Sequence, residues 1–277
     1  MRAWELTRTF ESEQGTIRWD RFGEADAASP PILLLHGTPF SSFIWRDVAP
    51  ALALRSTVYV WDLAGYGASA QADGQDVSLA AQARILASLL DHWGLEEPDV
   101  VGHDFGGAIA LRGLLLEGCR YRRLVLADAV SVAPWGTGFF QLAKEYAEVL
   151  QRLPDPVHDG LVRGYVQWAA SKPLDPEVVD GLVGPWAGEH GKAALYRQIA
   201  QNDQRWTDDL EPRYGELDLP VRILWGAEDA WLPLEQAHQL HAAIPGSELT
   251  VIPEAGHLVP LDAPATVAAE VASFLAG

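Results

Sequence analysis

The residues of this 277-residue chain that could do chemistry converge on Asp104. It lies in Val100-Val101-Gly102-His103-Asp104-Phe105-Gly106-Gly107, an apolar strand breaking into a tight turn with a helix starting behind it. The pattern is G-x-D-x-G, the G-x-S-x-G nucleophile elbow with aspartate in the serine position. Such a turn strains the backbone of its central residue, and side chains at Gly102 or Gly106 would collide with the strand or helix. A carboxylate placed there faces the cleft near a helix N-terminus, where negative charge is stabilised. A serine would attack acyl groups. A carboxylate attacks saturated carbon, and the alkyl ester that results must then be hydrolysed.

That hydrolysis needs a base and a group to orient it. Gly256-His257 follows the last strand-like run and supplies the histidine. Trp225-Gly226-Ala227-Glu228-Asp229 ends another run in acidic residues, with Asp229 the expected partner of His257. Glu228 beside it is an alternative, and Asp128 closes the run Arg123–Asp128. The order nucleophile, acid, histidine suits an elbow enzyme. His36-Gly37-Thr38-Pro39 closes an early apolar run, so the Thr38 loop and the N–H of Phe105 are expected to form an oxyanion hole. His36 and His103 stand beside motif glycines, where histidines fix loop geometry through hydrogen bonds; His36 is also a candidate pocket residue.

The elements around these residues read as an α/β fold. A β-hairpin is expected over 5–22, turning near Glu13-Gln14-Gly15, followed by buried strands at Pro31–Leu35 and Ser56–Asp62. Ser78 caps a helix to Trp93 that Gly94 stops. The elbow strand at 98–102, its helix to about Glu117 and the strand at 123–128 come next. Strand 221–226, helix 233–243, strand 248–252 and a helix from Ala263 complete the rhythm. The alternation predicts a mostly parallel sheet with helices on both faces. Between Ala133 and Arg213 the rhythm changes to short helical stretches broken by prolines, with frequent aromatic residues. This predicts a helical cap, 133–213, inserted after the sixth strand into a core of 1–132 and 214–277. It would cover the carboxyl ends of the strands, where open α/β sheets place ligands.

A net charge of -18 argues against nucleic acid or anionic membrane as a partner. Cys119 is the only cysteine, so no intrachain disulfide is possible. The start, Met1-Arg2-Ala3-Trp4-Glu5-Leu6, has no apolar core of signal-peptide length, and no apolar run approaches a membrane span. A cytoplasmic monomer or homodimer is expected. No phosphate loop or dinucleotide fingerprint occurs, and His and Cys are not spaced for metal, so no cofactor and no metal are expected. The acidic cluster Asp203–Glu211 reads as a solvated helix end.

With these motifs in hand, the chain resembles the α/β-hydrolase superfamily and, within it, the haloalkane dehalogenase and epoxide hydrolase branch. The resemblance covers nearly the whole chain, most closely His36–Asp47, Val60–Ser69 and Val100–Gly107, and HGTPFSSFIWRDVAP is close to the dehalogenase form. It implies an α/β-hydrolase fold and a two-step reaction, with Asp128 the alternative location for the acid. Asp104 attacks carbon; His257, held by Asp229, then activates water against the ester, with backbone donors stabilising the oxyanion.

The chain departs from both branches. Haloalkane dehalogenases usually carry Trp after the nucleophile and Asn or a second Trp to hold the halide; here the positions are Phe105 and Thr38. Halide would have to be held by Thr38 or a cap tryptophan, Trp168, Trp186 or Trp206. The Arg that fluoroacetate dehalogenases place after the nucleophile is also missing. Epoxide hydrolases use two cap tyrosines as acids. Ala194-Leu195-Tyr196-Arg197-Gln198 resembles their W-Y-R stretch, which makes Tyr196 the first candidate, Tyr165 the second and Tyr146 the third. The expected function is epoxide hydrolysis to a diol, on a small apolar or aromatic electrophile. The alternatives are hydrolytic dehalogenation of a haloalkane or haloacid, and, in another class, a cofactor-free acid–base lyase or isomerase or a non-catalytic ligand-binding protein. A serine-type esterase is disfavoured, because no Ser occupies the elbow.

Overall fold

The computed structural model describes residues 4–23 and 29–277; the start of the N-terminal segment, residues 1–3, lies outside the described residues. The opening hairpin is β1 (Arg8–Ser12) and β2 (Gly15–Phe22), antiparallel, with Ser12 facing Gly15. Gly15 has φ 95°, which the turn requires and a side chain would resist. The chain then runs β3 (Ile32–Leu35), α1 (Val48–Leu52), β4 (Val58–Trp61), α2 (Leu79–Trp93), β5 (Asp99–His103), α3 (Phe105–Leu116) and β6 (Arg123–Ala127). As the sequence predicts, Ser78 caps α2 by accepting from the Ala81 amide, and Gly94 ends it at φ 67°.

The eight strands form one sheet in the order β1-β2-β4-β3-β5-β6-β7-β8, where β7 is Val221–Gly226 and β8 is Glu248–Ile252. Strands β3 to β8 pair in parallel, and β1 pairs antiparallel with β2, as β2 does with β4. Every residue of β3, β4 and β5 is buried, which is why they are unbroken apolar runs rather than alternating ones. Because the parallel strands share one direction, their carboxyl ends release the loops bearing Thr38, Asp104, Asp128, Asp229 and His257 along one edge.

Between β6 and β7 lie α4 (Gly138–Glu145), α5 (Ala147–Leu150), α6 (Asp155–Ala169), α7 (Pro176–Val183), α8 (Gly188–Gln201) and α9 (Arg205–Asp208). The chain ends in α10 (Leu234–Ala243), α11 (Val259–Asp262) and α12 (Pro264–Ala276). The acidic stretch near α9 is more than a solvated end. Asp209 pairs with the buried Arg112 of α3 at 2.7 Å, Glu211 accepts from the Ala133 amide at 2.6 Å, and Asp203 pairs with Lys144 of α4. These carboxylates tie the stretch around α9 to α3, to the segment after β6 and to α4. Among the described residues no helix is long and apolar enough to cross a membrane.

Candidate active site

Asp104 occupies the turn between β5 and α3 with φ 53° and ψ −122°, a conformation strained for a residue with a side chain. The surroundings enforce it. A methyl group at Gly102 would sit 2.5 Å from the Gly106 carbonyl oxygen, so the turn closes only with glycine there. The Asp104 carbonyl accepts from the amides of Gly107 at 3.0 Å and Val130 at 3.1 Å, holding the turn against both α3 and the segment after β6.

The carboxylate is polarised from two sides. Oδ1 accepts the Thr38 backbone N–H at 2.6 Å, and Oδ2 faces His257 Nε2 at 3.3 Å. Gly37 makes the first contact possible, since a Cβ there would overlap Asp104 Oδ1 and come within 2.5 Å of the Phe105 amide nitrogen. The Thr38 amide is thus a formed donor at the nucleophile position, with the Phe105 amide nitrogen beside the same glycine.

His257 and Asp229 complete the chain of groups. His257 Nδ1 lies 2.9 Å from Asp229 Oδ2, while Asp229 Oδ1 accepts the amides of Trp231 at 2.8 Å and Leu232 at 2.9 Å. With Oδ1 filled by two donors, Asp229 cannot turn away, and its free oxygen fixes a proton on His257 Nδ1. Burial alone would lower the imidazole's pKa, but Asp229 and Asp104 on either side hold it well above the ordinary value. Asp229, rather than Asp128 or Glu228, meets the histidine. Asp128 instead accepts the Gly226 amide at 2.8 Å.

The two motif histidines are scaffolding. His103 Nε2–H donates to the His257 carbonyl at 2.7 Å; burial and then the neighbouring His257 push its pKa down to about 4, so the ring stays neutral. His36 Nδ1 is 3.0 Å from the Gly37 carbonyl, and its Nε2 accepts the Leu63 amide at 3.0 Å, which orients the Thr38 loop from beneath.

Above Asp104 is an apolar slot lined by Thr38, Phe105, Trp135, Phe140, Tyr165 and Trp231, among others. Its free volume is about 20 Å³, far below the roughly 300 Å³ at which ligand pockets begin, so its lining side chains must shift to admit a substrate. Tyr165, on α6, brings its hydroxyl within 3.2 Å of Thr137 Oγ1 and stacks on Trp231 at 4.2 Å. Burial, with the Asp104 charge adding to it, raises the Tyr165 pKa, so the phenol remains a donor.

The remaining sequence candidates are elsewhere. Tyr196, on α8, points its hydroxyl at His158 Nδ1, 3.1 Å away, and does not line the slot. Tyr146 is 46% exposed. None of the three candidate tryptophans lines the slot. The Trp186 indole N–H donates to the Pro39 carbonyl at 2.6 Å and that of Trp206 to the Gln201 carbonyl at 3.2 Å, while Trp168 is half-exposed. The Thr38 hydroxyl is occupied too, donating to Gln198 Oε1 at 3.0 Å alongside the Tyr66 hydroxyl at 2.6 Å.

Trp231 is the site residue that sequence reasoning missed. Its ring stacks on His257 at 4.9 Å, and its buried indole N–H has no hydrogen-bond partner. The signal was its place two residues after Asp229. An aspartate's side chain captures the backbone N–H two positions on, which fixes that residue beside the histidine.

Residues 32–270 match the family model described as alpha/beta hydrolase family. The chain belongs to the alpha/beta hydrolase family. A solved alpha/beta hydrolase fold protein from Burkholderia ambifaria is similar to it, at 42% identity, 98% coverage of both chains and a TM-score of 0.93. Haloalkane dehalogenase 2 of Mycobacterium tuberculosis is 26% identical over 279 residues, covering 96% of this chain and 93% of its own. The epoxide hydrolase CorEH, at 22% identity, covers 98% of this chain and 99% of its own with a TM-score of 0.76, a likeness of fold alone. For this hydrolase-family chain, the position usually held by the elbow nucleophile carries an aspartate.

Proposed function

We propose that this α/β-hydrolase cleaves a small apolar epoxide to a diol through a covalent ester on Asp104. The observation that carries the reading is the Asp104 carboxylate itself, one oxygen fixed by the Thr38 amide and the other held against His257 at the foot of an apolar slot. In the first step Asp104 Oδ2 bonds to an epoxide carbon as the carbon–oxygen bond breaks, and the departing oxygen takes the Tyr165 proton. Tyr165 is the slot's phenol and takes the role that sequence similarity pointed towards Tyr196.

Esterification neutralises Asp104, which removes one of the two charges that keep His257 protonated. The imidazole then gives up its Nε2 proton, which restores the Tyr165 phenol, and can act as a base. Water, giving its proton to Nε2, attacks Cγ of the ester, and the Thr38 amide stabilises the oxyanion. Collapse expels the diol oxygen, which takes that proton from His257, and the carboxylic acid left on Asp104 then passes its proton to His257, restoring the starting pair. Asp229 keeps the Nδ1 proton in place throughout.

A second reading, hydrolytic dehalogenation, is favoured by the unpartnered indole N–H of Trp231, which could hold a leaving halide where Phe105 offers no side-chain donor. Similarity to haloalkane dehalogenase 2 supports this second reading. Diol formation from a panel of small epoxides, measured beside halide release from haloalkanes, separates the two. Tyr165→Phe is expected to lower epoxide turnover about 100-fold, as loss of a general acid does, while Tyr196→Phe leaves it within about twofold. Full epoxide activity in Tyr165→Phe would remove that residue from the mechanism. Halide release by the wild type with no diol from any epoxide would establish the second reading.

A further inference from the structure

Asp128 has no part in these steps, yet it is fully buried at the carboxyl end of β6 with φ 40°, in the left-handed region. Its Oδ1 accepts the Gly226 amide at 2.8 Å, while Oδ2 is buried and meets no N–H or O–H donor. Gly226 joins it to Asp229: its N–H goes to Asp128 and its carbonyl accepts the Asp229 amide at 3.3 Å, so the Asp229 carboxyl neighbours Asp128, with His257 beyond. Asp229 already has two backbone N–H groups on Oδ1 and His257 on Oδ2. The other groups around His257 are Asp104 on its far side and the neutral His103, whose ring is 5.0 Å away. Two adjacent buried carboxyls cannot both ionise at ordinary cost. The one with two amides and an imidazole takes the charge, and the other keeps its proton.

We propose that Asp128 is an un-ionised carboxylic acid that donates a hydrogen bond to the Asp229 carboxylate, and so positions the partner of His257. The inference rests on the reading that the Asp229–His257 pair serves Asp104. Burial, followed by the Asp229 charge, raises the Asp128 pKa well above the usual carboxyl range, in the same direction. Asp128 is a positioning residue: it acts through Asp229. As pH rises through the elevated Asp128 pKa, a second negative charge appears beside Asp229. That charge repels Asp229 and tightens the hold of His257 on its protons, so turnover falls on the alkaline side.

Asp128→Asn is the discriminating variant. Asparagine tolerates positive φ, can accept the Gly226 amide through its oxygen, and can donate to Asp229 through its nitrogen, but cannot ionise. Asp128→Gly removes the donor with no backbone penalty. Two measurements on the full chain decide the matter: the infrared carbonyl band of an un-ionised carboxyl at neutral pH, and the pH profile of kcat. The proposal expects the band in the wild type and its loss in Asp128→Asn. It expects Asp128→Asn to turn over within about twofold of the wild type at neutral pH, without the wild type's alkaline decline. Asp128→Gly, folded by circular dichroism, should lose about 10- to 100-fold. Absence of the band, or persistence of the alkaline decline in Asp128→Asn, would overturn it. The infrared result needs no substrate, so it stands even if the epoxide reading fails.

Discussion

Asp104→Asn is expected to lower kcat by about 10⁴- to 10⁶-fold, the range seen when a nucleophile is removed from a catalytic triad. An amide of the same shape keeps Oδ1 on the Thr38 N–H and tolerates the positive φ of the elbow, so the fold should survive. What it lacks is the anionic oxygen facing His257. A companion experiment makes the role specific. In water enriched in heavy oxygen, a single turnover should place the label in Asp104 and not in the product, because water attacks Cγ of the ester. Label in the product, or turnover within about tenfold of the wild type in the Asn variant, would mean that Asp104 is not the nucleophile.

Asp229→Asn is expected to cost about 10⁴-fold in kcat, as the equivalent change does in a Ser-His-Asp triad. The geometry explains the size. The amides of Trp231 and Leu232 both donate to Oδ1 and would hold the asparagine oxygen in that place, which turns its NH2 towards His257 Nδ1. Two donors would then face each other unless His257 moves its proton to Nε2, and an Nε2–H imidazole cannot accept a proton from water. Attack by Asp104 precedes this need, so ester formation should persist while its hydrolysis stalls. Rapid-quench kinetics would show about one equivalent of epoxide consumed per site in the first turnover, with no matching diol. A loss below about tenfold would point instead to Asp128 as the acid.

The sheet and its edge were readable because β3, β4 and β5 are short, fully buried runs that lead into glycine-containing turns, and buried strands leave that signature. The elbow was readable for the same reason: only glycine fits beside Asp104, so Gly37, Gly102 and Gly106 mark it in the sequence. The tyrosine was not. On α8, Tyr196 and Gln198 are two residues apart and face different ways: Gln198 reaches Thr38, whereas Tyr196 meets His158. A helix turns about 100° per residue, so which side faces the sheet depends on how the inserted helices dock, and proline-broken segments carry weak periodic signals. Trp231 escaped for a different reason. It belongs to a turn fixed by the Asp229 side chain, where no repeating pattern reports which way a ring points.

The ester on Asp104 is tested most directly by the intact mass of a His257→Gln variant after exposure to small epoxides and haloalkanes. Without its base the variant should stop at the first intermediate. A mass gain of one whole epoxide is expected, localised by peptide mapping to Asp104 and absent in the double variant that also carries Asp104→Asn. A gain equal to an alkyl group without its halogen would keep the nucleophile and change the substrate. No adduct from either panel, with the variant folded, would contradict the covalent mechanism and leave an acid–base lyase or a ligand-binding protein on the same fold.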